Sequence, residues 1–84
     1  MLIKRITVQL SEGLQARHTA LFVRETRSFQ SDIFIAKDEK CVSGKSIMKV
    51  MALAVKKGDD ITLLTNGVDE HAAARTLEEF LLTK

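Results

Sequence analysis

The sequence contains no proline, no tryptophan and no tyrosine, a single cysteine and only four glycines in 84 residues. One thiol, Cys41, cannot form an internal disulfide, and without a CxxC pair or a His/Cys cluster at metal-binding spacing a zinc site is excluded. This points to a reducing compartment, the cytoplasm. No stretch is proline-rich or of low complexity, so nothing reads as a linker. The longest apolar run, Met51 to Val55, falls far short of the ~20 residues of a membrane-spanning helix. The N-terminal MLIKRITVQL has basic residues inside a short apolar segment and no small-residue cleavage site after it, which reads as part of the fold and not as a signal peptide. A soluble protein is expected. Ser/His/Asp constellations, GxGxxG and phosphate-loop patterns are also missing. The chain is therefore expected not to be an enzyme and to carry neither metal nor cofactor.

What is present suffices for one core: 45% of the residues are hydrophobic and 29% charged, with a net charge of +2. Residues 1–84 read as a single domain. A chain of this length buries roughly 60 to 65% of its unfolded surface, enough for one two-layer core and too little for an enclosed enzyme cleft. Leu, Ile, Val and Phe are spread along the whole length, which excludes disorder. The charge is uneven, since Lys40 to Gly58 holds Lys40, Lys45, Lys49, Lys56 and Lys57 and no acid, whereas Asp59 to Glu79 holds six acids against Arg75. Such asymmetry implies one electropositive surface suited to a phosphate or an acidic partner. No aromatic residue interrupts the basic stretch, which argues for protein partners and against direct nucleic-acid binding.

Hydrophobic periodicity divides the chain into seven elements. Leu2 to Leu10 alternates, with Leu2, Lys4, Ile6, Val8 and Leu10 on one face, as a half-buried strand does. Ala16 to Phe29 carries apolar residues at Ala16, Ala20 and Val23 and at Phe22, Thr26 and Phe29, the spacing of an amphipathic helix with Arg17, Arg24, Glu25 and Arg27 outward. Ile33 to Ile35 and Cys41-Val42 flank the polar turn Lys37 to Lys40 as a hairpin. Ser46 is the natural N-cap of a helix over Ile47 to Val55, with Lys56, Lys57 and a Gly58 C-cap after it. Ile61 to Thr65 is β-branched and ends at Asn66-Gly67. Asp69-Glu70 opens a last helix with Ala73, Leu77, Phe80 and Leu81 as its stripe. The order β-α-β-β-α-β-α suits helices packed on one face of an antiparallel sheet, and a ferredoxin-like arrangement shares most of it.

Among residues able to carry chemistry, Ser46 has two readings. It is a plain helix cap worth ~1 kcal/mol, or it is a regulatory phosphosite, where the helix amides and dipole favour an added anion. The helix after it is apolar on more than one side. With Val50, Leu53 and Ala54 facing the sheet, Ile47, Met48 and Met51 either fill core gaps or form an exposed patch for docking a partner. His18 and His71 stand on separate helices and imply no shared site. In the strand pattern, Cys41 reads as a small packed hydrophobe and not as a nucleophile.

The segments Gly13-Leu14-Gln15-Ala16-Arg17 and Gly44-Lys45-Ser46-Ile47-Met48, with the element order, resemble the HPr family of the bacterial phosphotransferase system over essentially the whole chain. The resemblance implies an α+β open-faced β-sandwich, a four-stranded antiparallel sheet in the order 1-4-2-3 with three helices on one face. In phosphocarrier members the first motif reads G-[IL]-H-A-R-P, and its histidine receives phosphate from enzyme I. Here that position is Gln15, and a carboxamide cannot carry a phosphoryl group as an imidazole does. The glutamine form is characteristic of the catabolite-repression branch, Crh. The resemblance then implies a regulatory protein of carbon catabolite repression, phosphorylated at Ser46 by HPr kinase/phosphorylase and acting as corepressor of catabolite control protein A. Arg17, Lys45, Ile47, Met48, Lys49 and Met51 would contact partners, and a homodimer is an open state. Two positions depart from the pattern: His18 replaces the motif proline, and Lys49 replaces a small glycine common in Gram-positive members. His18 leaves one alternative, a phosphocarrier with a displaced acceptor. Three residues along a helix turn a side chain by about 300° and lift it by about 4.5 Å, so enzyme I would meet it in another geometry.

Overall fold

A computed structural model describes residues 1–83. The elements run β1 (Leu2–Thr7), α1 (Ala16–Arg27), β2 (Asp32–Lys37), β3 (Lys40–Ser43), α2 (Ile47–Ala52), β4 (Asp60–Asn66) and α3 (Glu70–Leu82). The strands form one antiparallel sheet in the order β1-β4-β2-β3, as the resemblance implied, and not the ferredoxin-like alternative. Alternation decides which face is buried. Ile6, Ile33, Ile35, Ile61 and Leu63 point under the helices and join Phe22, Val23, Val50, Leu77 and Leu81 in one core. Ile3, Arg5, Phe34 and Thr62 point away from it. Lys4 has the inward parity and keeps its charge at the rim, paired with Glu78 at 3.0 Å.

Several details differ from the periodicity. Helix α1 stops at Arg27 and leaves Ala16 and Ala20 exposed, while Thr19, Phe22, Val23 and Thr26 are buried. Both threonines enter the core because their hydroxyls are satisfied there. Thr19 donates to the Leu14 carbonyl at 2.7 Å, and Thr26 lies 2.7 Å from the Val23 carbonyl and 2.8 Å from that of Gly44. Phe22 meets Phe80 edge-on, with ring centroids 5.8 Å apart, tying α1 to α3. Cys41 is exposed and not packed, because β3 is an edge strand and Cys41 lies on its outward parity, opposite Ala36.

The largest correction concerns α2, which ends at Ala52 and not at Val55. Ala54 adopts the left-handed conformation with φ 54° and is exposed, so it does not face the sheet, and Gly58 is not the cap. Tertiary bonds hold this turn. The Lys37 ammonium donates to the carbonyls of Leu53 and Ala54, at 3.3 and 2.8 Å, and pairs with Asp59 at 2.9 Å. Asp59 also accepts from the Lys56 amide at 2.8 Å. Its carboxyl is held below the ordinary carboxylate range, first by the Lys37 hydrogen bond and then by the Lys56 amide. A lowered native pKa stabilises the fold fully above the unfolded value of about 4 and progressively less as pH falls through the native one. Thermal melts from pH 7 to pH 2 should therefore show Asp59→Asn less stable than wild type near neutrality, with the gap closing in acid. A gap independent of pH would disprove this charge linkage.

Candidate functional site

The loop before α1 is shaped by Gly13, whose φ is 64° and where a Cβ would lie 2.3 Å from the Val55 carbonyl oxygen. Only glycine tolerates both demands. The close approach lets the Leu14 amide donate to that carbonyl at 2.9 Å, and Leu14 is buried. The chain then turns extended at Gln15, the N-cap of α1 with φ −89° and ψ 178°. The Gln15 carbonyl accepts from the Thr19 amide at 2.7 Å, while its side chain makes no capping hydrogen bond and is exposed. The first-turn amides of α1 thus have neither a side-chain cap nor an acidic neighbour in that turn, and they can attract an anion.

Gln15 and Ala16 line a shallow depression of about 280 Å³ together with Met51, Ala54 and Lys56. The left-handed Ala54 places Lys56 and the end of α2 at this rim, an arrangement that periodicity missed because Ala54 fits a helical pattern. Arg17 is exposed and His18 half-buried on the first turn of α1. His71 lies elsewhere, with Leu2, Lys4, Arg75 and Glu78, so the two histidines share no site.

Ser46 caps α2. It is half-buried in extended conformation, φ −111° and ψ 112°, and its Oγ accepts from the Lys49 amide at 3.4 Å. The loop before it is fixed from below by Thr26 at Gly44 and by the Arg27 guanidinium, which donates to the Lys45 carbonyl at 3.1 Å. The Lys45 ammonium donates to the Phe29 carbonyl at 2.9 Å, whereas Lys49 is exposed. Ile47, Met48 and Met51 are 38, 80 and 44% exposed, around the buried Val50. A helix of six residues has one side to bury, and Val50 takes it. Met48→Ala should accordingly lower stability by less than ~1 kcal/mol, against the ~2 to 5 kcal/mol of a buried Met→Ala change, and calorimetric melting would check it. Among the described residues, no group of three His, Cys, Asp or Glu side chains is placed to hold a metal ion, and no helix is long and apolar enough to cross a membrane.

Gln15 and Ser46 thus each stand at a helix start, on two helices packed against one another. A family model described as the PTS HPr component phosphorylation site matches residues 3–82. The chain belongs to the HPr family. It is similar to the HPr-like protein Crh of Halalkalibacterium halodurans, 51% identical over 96% of each chain. Among solved structures, the phosphocarrier protein HPr of Bacillus anthracis str. Ames superposes with a TM-score of 0.93, is 48% identical and covers 95% of both chains. Crh of Bacillus subtilis, described as a dimer with a swapped domain, gives a TM-score of 0.77 at 46% identity, covering 96% of this chain and 93% of that one. HPr-like proteins are phosphocarriers or regulators, and the relatives named Crh are catabolite-repression members.

Proposed function

We propose that this protein is a cytoplasmic, non-enzymatic regulator of carbon catabolite repression, switched by phosphorylation of Ser46 by HPr kinase/phosphorylase and then bound as corepressor by catabolite control protein A. The observation that carries this reading is the solvent-facing carboxamide of Gln15 at the N-cap of α1, where phosphocarrier relatives need an imidazole, beside an intact serine cap with exposed Ile47 and Met48 next to it. A phosphate on Ser46 adds roughly −1.5 to −2 charge at a helix start, where amides and dipole tolerate it. Its information is therefore a change of surface charge next to an apolar patch, read by the partner without refolding. The cation best placed to contact it is Lys49, since the Lys45 ammonium is already committed to the Phe29 carbonyl. Met51 extends the contact surface to the depression at Gln15, and Arg17 adds an exposed cation on the first turn of α1.

Two incubations followed by intact mass measurement test the reading. ATP with HPr kinase/phosphorylase should add one phosphate, and phosphoenolpyruvate with enzyme I should add none. Labelling by enzyme I that disappears in His18→Ala would establish the displaced phosphocarrier instead.

A further inference from the structure

The loop that carries Ser46 is tied to the last turn of α1, which holds Arg24 and Arg27 and ends at a Ser28 cap. Arg27 donates through Nε to the Lys45 carbonyl at 3.1 Å, and that carbonyl belongs to the peptide bond joining Lys45 to Ser46. The contact uses one N–H of a guanidinium that has several. Arg27 is exposed and belongs to none of the three ion pairs found among the described residues, Met1–Glu70, Lys4–Glu78 and Lys37–Asp59. Glu25, the acid on the same turn of α1, is outside them too. The Lys45 ammonium is turned to the Phe29 carbonyl, at 2.9 Å. From Lys40 to Gly58 the chain has no acidic residue, so nothing in the segment around Ser46 competes for a cation.

We propose that Arg27 is the inner counter-ion of a phosphate on Ser46, meeting it from α1 while Lys49 meets it from α2. The inference rests on Ser46 being the phosphosite. Covalent geometry sets the reach, because the Lys45 carbonyl oxygen lies within about 5 Å of the Ser46 Oγ in any rotamer of that serine. Phosphate oxygens extend about 2.5 Å beyond Oγ and the outer guanidinium nitrogens about 2.3 Å beyond Nε, so bond rotations alone close the gap to hydrogen-bond distance. The planar fork favours arginine for this position. Its Nε keeps the Lys45 carbonyl while an outer nitrogen takes a phosphate oxygen, two acceptors on one rigid group that a flexible ammonium serves less well. Two cations, Arg27 and Lys49, also match the roughly −1.5 to −2 charge that the phosphate brings. The phosphate then links the end of α1 to the start of α2, helices that already pack against one another. It is held in one orientation beside Met48 before any partner arrives, which spares the partner the ordering of a free group.

Phosphoserine placed at position 46 by genetic encoding gives the phosphoprotein without any kinase. Phosphorus NMR then reads the second pKa of the phosphate, about 6 for an unperturbed phosphoserine. Wild type should titrate below Arg27→Gln by about half a unit or more, since a cation this close favours the dianion. Arg27→Lys should recover part of that difference. Arg24→Gln removes the same charge from the same turn of α1 without the loop contact, and it should shift the titration less than Arg27→Gln does. Thermal melts with and without the phosphate give a second readout, with the phosphate raising Tm by about 2 °C or more in wild type over its effect in Arg27→Gln. Were Arg27 only a tie for the loop, Arg27→Gln would lower Tm equally in both forms and leave the titration unmoved. That outcome, or an Arg24→Gln shift as large as that of Arg27→Gln, overturns the proposal. Failure of HPr kinase/phosphorylase to modify wild type would instead overturn the reading of Ser46 and leave the titration to decide Arg27 by itself.

Discussion

Ser46→Ala is expected to take up no phosphate from ATP and HPr kinase/phosphorylase under conditions that modify wild type to completion, while keeping the wild-type fold. The loss should be total because the chemistry resides in one hydroxyl, whereas the structural part of Ser46 is small. Its Oγ accepts a single long hydrogen bond, 3.4 Å from the Lys49 amide, at the start of a six-residue helix. Removing such a cap costs at most ~1 kcal/mol. The loop keeps its other ties, from Thr26 to Gly44 and from Arg27 to Lys45. Intact mass reads the phosphate and circular dichroism the fold. A variant that is folded and still modified in full would remove Ser46 from the proposed mechanism.

Gln15→His should convert a protein with no detectable phosphoenolpyruvate-dependent labelling into one that enzyme I labels, at a rate below that of a phosphocarrier. The change from nothing to measurable is expected because the surroundings are built already. Gly13 and the Val55 carbonyl set the loop, Gln15 faces solvent, and the uncapped first turn of α1 offers its amides to a phosphoryl anion. A phosphoryl group needs an imidazole nitrogen as nucleophile, and a carboxamide nitrogen, its lone pair delocalised into the carbonyl, is not one. The rate should stay low because His18 stands where the motif has proline. Proline pre-sets φ in the first helical turn, and histidine does not. Radiolabelled phosphoenolpyruvate with enzyme I, applied to wild type, Gln15→His and His18→Ala, checks the order. A Gln15→His protein that stays unlabelled though folded would show that the loop geometry, and not the missing imidazole, blocks transfer.

Much of the fold was legible along the chain because alternation and helical spacing report which residues share a face. Leu2, Lys4 and Ile6 against Ile3 and Arg5 marked β1, Ser46 marked the start of α2, and Ala73, Leu77 and Leu81 marked the buried stripe of α3. The glutamine at position 15 and the serine at position 46 are likewise plain in the sequence, and the family motifs around them supplied the strand order that periodicity left open. What periodicity could not report is what covers each face. Ala16 and Ala20 look as apolar as Val23, yet they face solvent, while Thr19 is buried because the Leu14 carbonyl of the preceding loop accepts from its hydroxyl. Cys41 follows a strand pattern, but its strand is at the edge and its parity is outward.

The sequence by itself thus determined the order and kind of the elements, most of their buried faces and the two positions on which the proposed function turns, because local spacing and side-chain type need no partner to be read. Only the tertiary structure decided where α2 stops, since Ala54 takes a left-handed turn that no local preference of alanine favours and that Lys37, reaching across from β2, holds through two carbonyls and Asp59. That turn brings Lys56 and Met51 to the rim beside Gln15. The juxtaposition depends on hydrogen bonds between residues far apart in the chain, and such bonds leave no period in a sequence.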